Sequence, residues 1–195
     1  MENFADSVFE NRSFNNQNFG DIDLRDKEFA NCEFSYCGFV EARLEGAQFD
    51  SCSFVGCNLS NPAIDKSRFI DAEFKGCKLT GLNFGRLSQS VFDLRFAECR
   101  ITSCNFTDLK MKRCSFKACD IKESYFQNSY LVEADFSGSN FSQTLFHDCD
   151  LTKASFLDAH GYAIDPRTNK LKKAIFSVPD VLALLEGFEI VIRND

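Results

Sequence analysis

The feature that most constrains this chain is a spacing of five. Apolar residues stand at Phe4, Phe9, Phe14, Phe19, Leu24 and Phe29, and the series runs on to Phe84 without a miss. It resumes at Phe96 and continues through Ile101, Phe106, Met111 and Phe116 as far as Phe156. Of the 23 Phe in the chain, 20 sit on these thirty centres. A helix buries residues every 3.6 positions and a strand every second one, so a strict five fits neither. It fits a chain that turns a corner every five residues and sends one large side chain inward from each segment. Between Phe84 and Phe96 the phase slips by two, which places one irregular stretch near residues 86–94.

The position two before each centre is mostly small, as at Cys32, Cys37, Ala42, Ala47, Ala134 and Ser139. One large and one small inward residue in every five describe a narrow, filled rod. The position two after each centre is often Asp, Asn or Gly, as at Asp6, Asn11, Asn16 and Gly46, the residues that turn corners. All ten Cys hold the small position: Cys32, Cys37, Cys52, Cys57, Cys77, Cys99, Cys104, Cys114, Cys119 and Cys149. Cysteine there is expected to act as a small buried hydrophobe in place of Ala or Ser, not as a metal ligand. Stacking at ~4.8 Å holds Cβ atoms wider than a disulfide prefers, so reduced thiols, and with them a cytoplasmic setting, are expected.

Segments such as "CSFVG", "CNLSN" and "ADFSG" resemble the repeats of the pentapeptide-repeat proteins, and the resemblance covers roughly residues 3–160. It implies an all-β fold, a right-handed quadrilateral β-helix with four pentapeptides per coil. Phe9, Phe29, Phe49 and Phe69 would then stack in one column, and Phe14, Phe34, Phe54 and Phe74 in the next. Seven or eight coils at ~4.8 Å make a rod of about 35–45 Å. The chain divides into a repeat domain over 1–160 and a cap over 161–195 that is expected to dimerise. Ser177, Pro179 and Asp180 signal a helix start, Gly187 a stop, and Phe188, Ile190 and Ile192 alternate as a short strand.

No sequence motif for a nucleotide, a metal or a catalytic triad occurs, so neither an enzyme nor a cofactor is expected. His147 and His160 are expected at the surface. The first fourteen residues, MENFADSVFENRSF, have no basic n-region and no apolar h-region, so a signal peptide is not expected. Neither is a membrane span. A net charge of −7 argues against general binding to nucleic acid or to anionic lipid. The charge is uneven along the chain: net −6 over residues 1–84, +3 over 85–130 and −4 over 131–160. Lys110, Lys112, Arg113, Lys117 and Lys122 form a basic belt at mid-chain, and Tyr125 and Tyr130 are expected to point outward nearby.

The tail "IDP…N.LKKA.FS.P…LL..F.I.I" is similar to those of quinolone-resistance (Qnr-type) proteins and of immunity proteins against gyrase-poisoning peptides. That resemblance implies tail-to-tail homodimers that imitate duplex DNA and bind DNA gyrase or topoisomerase IV. The expected contacts are Glu133, Asp135, Asp148, Asp150 and Asp158 toward the enzyme, and Val181, Leu182, Leu184, Leu185 and Phe188 across the dimer. Qnr-type proteins often carry projecting loops, whereas residues 4–84 here run unbroken. The alternative is a pentapeptide-repeat scaffold or interaction module with an unrelated partner.

Overall fold

The computed structural model describes residues 4–88, 93–188 and 190–193. Twenty short strands, most of them three residues long, pair in parallel only. Most strands have one buried residue between two outward ones, as in Val8–Glu10 and Ser13–Asn15, and the chain turns a corner before the next. Four faces result, and partners lie twenty residues apart: Phe9 pairs with Phe29, Phe14 with Phe34, Leu59 with Leu79 and Phe126 with Phe146. This is the expected right-handed quadrilateral β-helix.

The interior is aromatic. On the second face, nine rings from Phe14 to Phe176 stack in one column, with neighbouring centroids 4.7–5.3 Å apart and planes within 18°. Rings on adjacent faces meet edge to face, as Phe34 and Phe49 do at 73°. Most rings therefore have stacked and edge contacts at once, the two arrangements their quadrupoles favour. The first face holds Phe9, Phe29, Phe49 and Phe69, then passes to Met111, Leu131 and Leu151.

At the corners, twenty-three non-glycine residues have positive φ, among them Asn11, Tyr36, Glu41, Arg113 and Lys153. Where the centre's carbonyl also accepts from the residue three on, as Phe39 does from Ala42, the corner closes as a type II turn. With the six glycines of positive φ, Asn, Asp and Gly hold sixteen of these twenty-nine positions, and thirteen are held by other residue types. The cross-coil bonds that each corner completes outweigh the roughly 1–2 kcal/mol cost of the left-handed region.

The slip shows in the backbone bonds. A regular corner N–H donates nineteen residues on, as Gly46 does to Asp65, whereas Lys66 donates to Arg86 at twenty, and Ala72 pairs with Leu94 at twenty-two where regular strands pair at twenty. Most of the stretch between, residues 89–92, lies outside the described residues.

The solenoid continues beyond residue 160. Ala163–Ile164 and Ile175–Phe176 pair with the coil before, and Phe156 stacks on Phe176 at 5.1 Å. The final helix spans Asp180–Phe188 and is a 3₁₀ helix that runs through Gly187, the expected stop. Ala183 and Leu184 pack on the core and so cover the open end. The strand expected over Phe188–Ile192 does not form among the described residues: Phe188 ends the helix under the Arg167 guanidinium, 5.6 Å away, and residues 190–193 pair with nothing. Alternation marks an apolar side, but a strand also needs a sheet edge to bond with, and this segment meets none.

Candidate partner-binding surface

All ten thiols are buried and free. Sequence reasoning missed what they bond to. Cys37 Sγ donates to the carbonyl of Phe14 at 3.3 Å, Cys57 to Phe34 at 3.2 Å and Cys77 to Phe54 at 3.2 Å. Ser67, Ser129, Ser139 and Thr144 do the same with their hydroxyls. The small position thus serves the preceding coil's centre with a donor. The exchange of Cys with Ser and Thr, more than with Ala, was the available signal. Burial pushes the Cys104 thiol up to about 12 and the Cys149 thiol up to about 11. Among the described residues no group of three His, Cys, Asp or Glu side chains could hold a metal ion.

Two shallow depressions of about 370 and 460 Å³ flank the final helix. His147 and Asp165 line the first, Tyr162 and Asp180 the second, and Glu186 lies in both. Both histidines reach the surface. His147 lies 3.3 Å from Asp148, and His160 Nδ1 is 2.9 Å from Asp180, which ties the last coil to the start of the helix.

The outward residues are what a partner would meet. The five carboxylates expected to form one acidic block face solvent but lie on different sides. Asp150 is on the first face, Asp135 on the second, and Glu133 on the corner between them, while Asp148 and Asp158 occupy two other corners. Three are neutralised from neighbouring coils. Glu133 meets Arg113 at 2.8 Å and Lys153 at 3.3 Å, Asp135 meets Lys117 at 2.9 Å, and Asp150 meets Lys170 at 3.6 Å. Arg113, then Lys153, hold the Glu133 carboxyl below its usual range. Burial would raise Asp135, but the Ser137 hydroxyl and Lys117 outweigh it and leave that group low.

The first four coils differ. Glu10, Asp26, Glu28, Glu33, Asp50 and Glu73 have no ion-pair partner among the described residues. In the tail, Leu182 and Phe188 are exposed, while Val181, Leu184 and Leu185 are half-buried. No helix of the described residues is long and apolar enough to cross a membrane.

Two solved forms of QnrB1, described as a plasmid-mediated fluoroquinolone resistance protein, share the architecture. The trypsin-treated R167E form matches with a TM-score of 0.65 and 16% identity over 96% of this chain and 100% of that one. The full-length form matches with a TM-score of 0.51 and 17% identity over 94% and 100%. At such identity the likeness concerns the fold alone. No curated protein matches the sequence. The model of the SV2A/B/C luminal domain matches residues 2–79, and that of the pentapeptide repeat region matches residues 47–126 and 99–176. With the repeat model spanning well over half of the sequence, and its coils closed as described, the chain belongs to the pentapeptide-repeat family.

Proposed function

We propose that the chain is a dimeric rod that binds a bacterial type II topoisomerase, DNA gyrase or topoisomerase IV, by posing as duplex DNA. Binding protects the enzyme from quinolones or other poisons, or inhibits it. The observation that carries this reading is the run of unpaired carboxylates over the first four coils. A net −6 over residues 1–84 puts one charge on roughly every 3 Å of axis at ~4.8 Å per coil. That is about half the density of duplex DNA, which carries one charge per ≈ 1.7 Å. The fold shared with QnrB1, named for fluoroquinolone resistance, supports the same reading.

Near the tail, Asp148 and Asp158 keep no Lys or Arg partner among the described residues and join Glu133, Asp135 and Asp150 as contacts flanking the dimer axis. Val181, Leu182, Leu184, Leu185 and Phe188 form the two-fold interface, with Leu182 and Phe188 as its exposed centre. No cofactor enters this function.

The test is supercoiling by purified gyrase and topoisomerase IV, titrated with the protein with and without a fluoroquinolone. Reversal of Glu10, Glu28 and Asp50 to Lys, or of Asp135, Asp148 and Asp150, keeps the rod folded and removes the effect. The effect also weakens with salt, since the Debye length falls to about 8 Å at 0.15 M. Leu182→Asp with Leu185→Asp gives monomers or aggregates in sedimentation, because unpaired charge in an apolar interface is costly. If both enzymes are untouched at low ionic strength, with and without drug, the scaffold reading replaces this one.

A further inference from the structure

The first face changes sign along the rod. In its second half three outward columns run side by side: Lys110–Tyr130–Asp150–Lys170, Lys112–Val132–Thr152–Lys172 and, at the corner, Arg113–Glu133–Lys153–Lys173. The first column is fixed by direct pairing of Lys110 with Tyr130, Tyr130 with Asp150, and Asp150 with Lys170. The others follow from backbone bonds of Arg113 to Val132, Glu133 to Thr152 and Lys153 to Lys172. These columns hold seven cations and two carboxylates, a local +5 on a chain of net −7; Asp108 and Asp148, at the adjoining corner, lower it to +3. In sequence the strip is invisible, because half its lysines belong to a tail whose charges cancel.

Glu133 and Asp150 engage Arg113, Lys153 and Lys170. Lys110, Lys112, Lys172 and Lys173 are exposed and have no ion-pair partner among the described residues. They form two pairs three coils apart, about 14 Å at ~4.8 Å per coil. Tyr130, 41% exposed, stands between them.

We infer that this strip binds the phosphate backbone of a nucleic acid. Its free cations are all lysines, compact point charges that bind phosphate, and its one guanidinium, a fork that fits carboxylate and phosphate alike, is already engaged by Glu133. Phosphates lie ≈ 3.4 Å apart along the axis of each strand, so about 14 Å spans roughly four. The exposed tyrosine offers a ring on which an unpaired base can stack. The strip shares Glu133 and Asp150 with the proposed topoisomerase contacts, and its test contains no enzyme, so the two readings fail separately.

The test is fluorescence anisotropy with a labelled duplex of about 20 base pairs, the matching single strand, and polyglutamate of similar length, each titrated between about 50 and 200 mM salt. Binding to duplex or single strand is expected, its affinity falling with log[salt] at a slope of −0.7 to −0.9 per phosphate contacted. Preference for the single strand assigns Tyr130 a stacking role, and preference for duplex assigns the spacing. Changing Lys110, Lys112, Lys172 and Lys173 together to Gln should cut the slope by about 3–4, and the Lys172→Gln/Lys173→Gln pair alone by about half of that. Circular dichroism of each variant checks the fold. No binding of either nucleic acid at about 50 mM salt, an unchanged slope in the folded quadruple variant, or tighter binding of polyglutamate overturns the inference; the last outcome makes the partner an acidic protein.

Discussion

Phe74 and Phe96 stack with centroids 5.1 Å apart and planes within 13°, although twenty-two residues separate them where every other pair in the column has twenty. The register is already twenty-two where Ala72 pairs with Leu94, and the aromatic column passes the slip without a gap. Phe96 also meets Phe84 and Phe106 edge-on at 6.0 and 6.2 Å. Phe96→Ala should therefore cost about 3–5 kcal/mol, as large-to-small changes in cores do. Phe54→Ala, inside the regular coils, should cost as much. Denaturant melts of both variants check this, and a clearly cheaper Phe96 would mean that the slip is loosely packed.

The thiols should be inert until the chain unfolds. Each is buried and so out of a reagent's reach, and burial raises Cys52 and Cys104 to about 12, so at those two sites the reactive thiolate is also scarce at neutral pH. A thiol reagent should label native protein slowly and all ten sites quickly in denaturant. Replacing Cys77 with Ser keeps a donor for the Phe54 carbonyl and should destabilise less than Cys77→Val, which loses it.

Tyr162 should be more useful as phenylalanine. Tyr162 is 3% exposed and its ring touches Phe156 and Phe176, but its hydroxyl is buried without a hydrogen-bond partner among the described residues. An unsatisfied buried hydroxyl costs about 1–3 kcal/mol. Tyr162→Phe keeps the ring contacts and should raise the melting temperature. A lower value would show that the hydroxyl is satisfied in solution.

Acid should loosen the second half of the rod. Arg113 and Lys153 depress Glu133, and Arg167 depresses Asp165 to about 2. Asp150 is also low, since Thr152 and Lys170 outweigh its burial. A carboxylate depressed in the folded state stabilises above its unfolded pKa, and that contribution is lost as pH falls through the folded value. Stability should hold from neutral pH to about 4.5 and then decline toward about 2. Each exposed pair contributes little by itself, so Glu133→Gln should flatten the decline slightly without changing its direction. Melting temperatures recorded across that range check the sign.

The interior was legible because the spacing of five maps directly onto geometry. The centres, the small inward positions and the location of the slip all follow from counting. The surface was not legible by the same count. Glu133, Asp135 and Asp150 look like one acidic block when read along the chain, yet their neighbours in space are twenty residues away, and Arg113, Lys117 and Lys170 sit there. Splitting the charge by sequence block mixes four faces, whereas sorting it by twenties would have exposed both the cross-coil pairs and the lysine strip. The strand expected near Ile190 failed for another reason. Alternation reports which side of a segment is apolar, not whether an edge is within reach.

Phe4 lies across the first coil, with its ring 5.6, 5.8 and 5.3 Å from those of Phe9, Phe14 and Phe19. Among the described residues it is the one side chain laid over that end of the rod, where the other end has a helix. Each coil touches only its neighbours, so opening one in the middle uncovers two cross-sections and peeling one from an end uncovers a single new one. Loss of structure then has a direction. It starts beneath Phe4 and travels toward the helix, so amide exchange should be fastest near Phe9 and slow progressively along the axis.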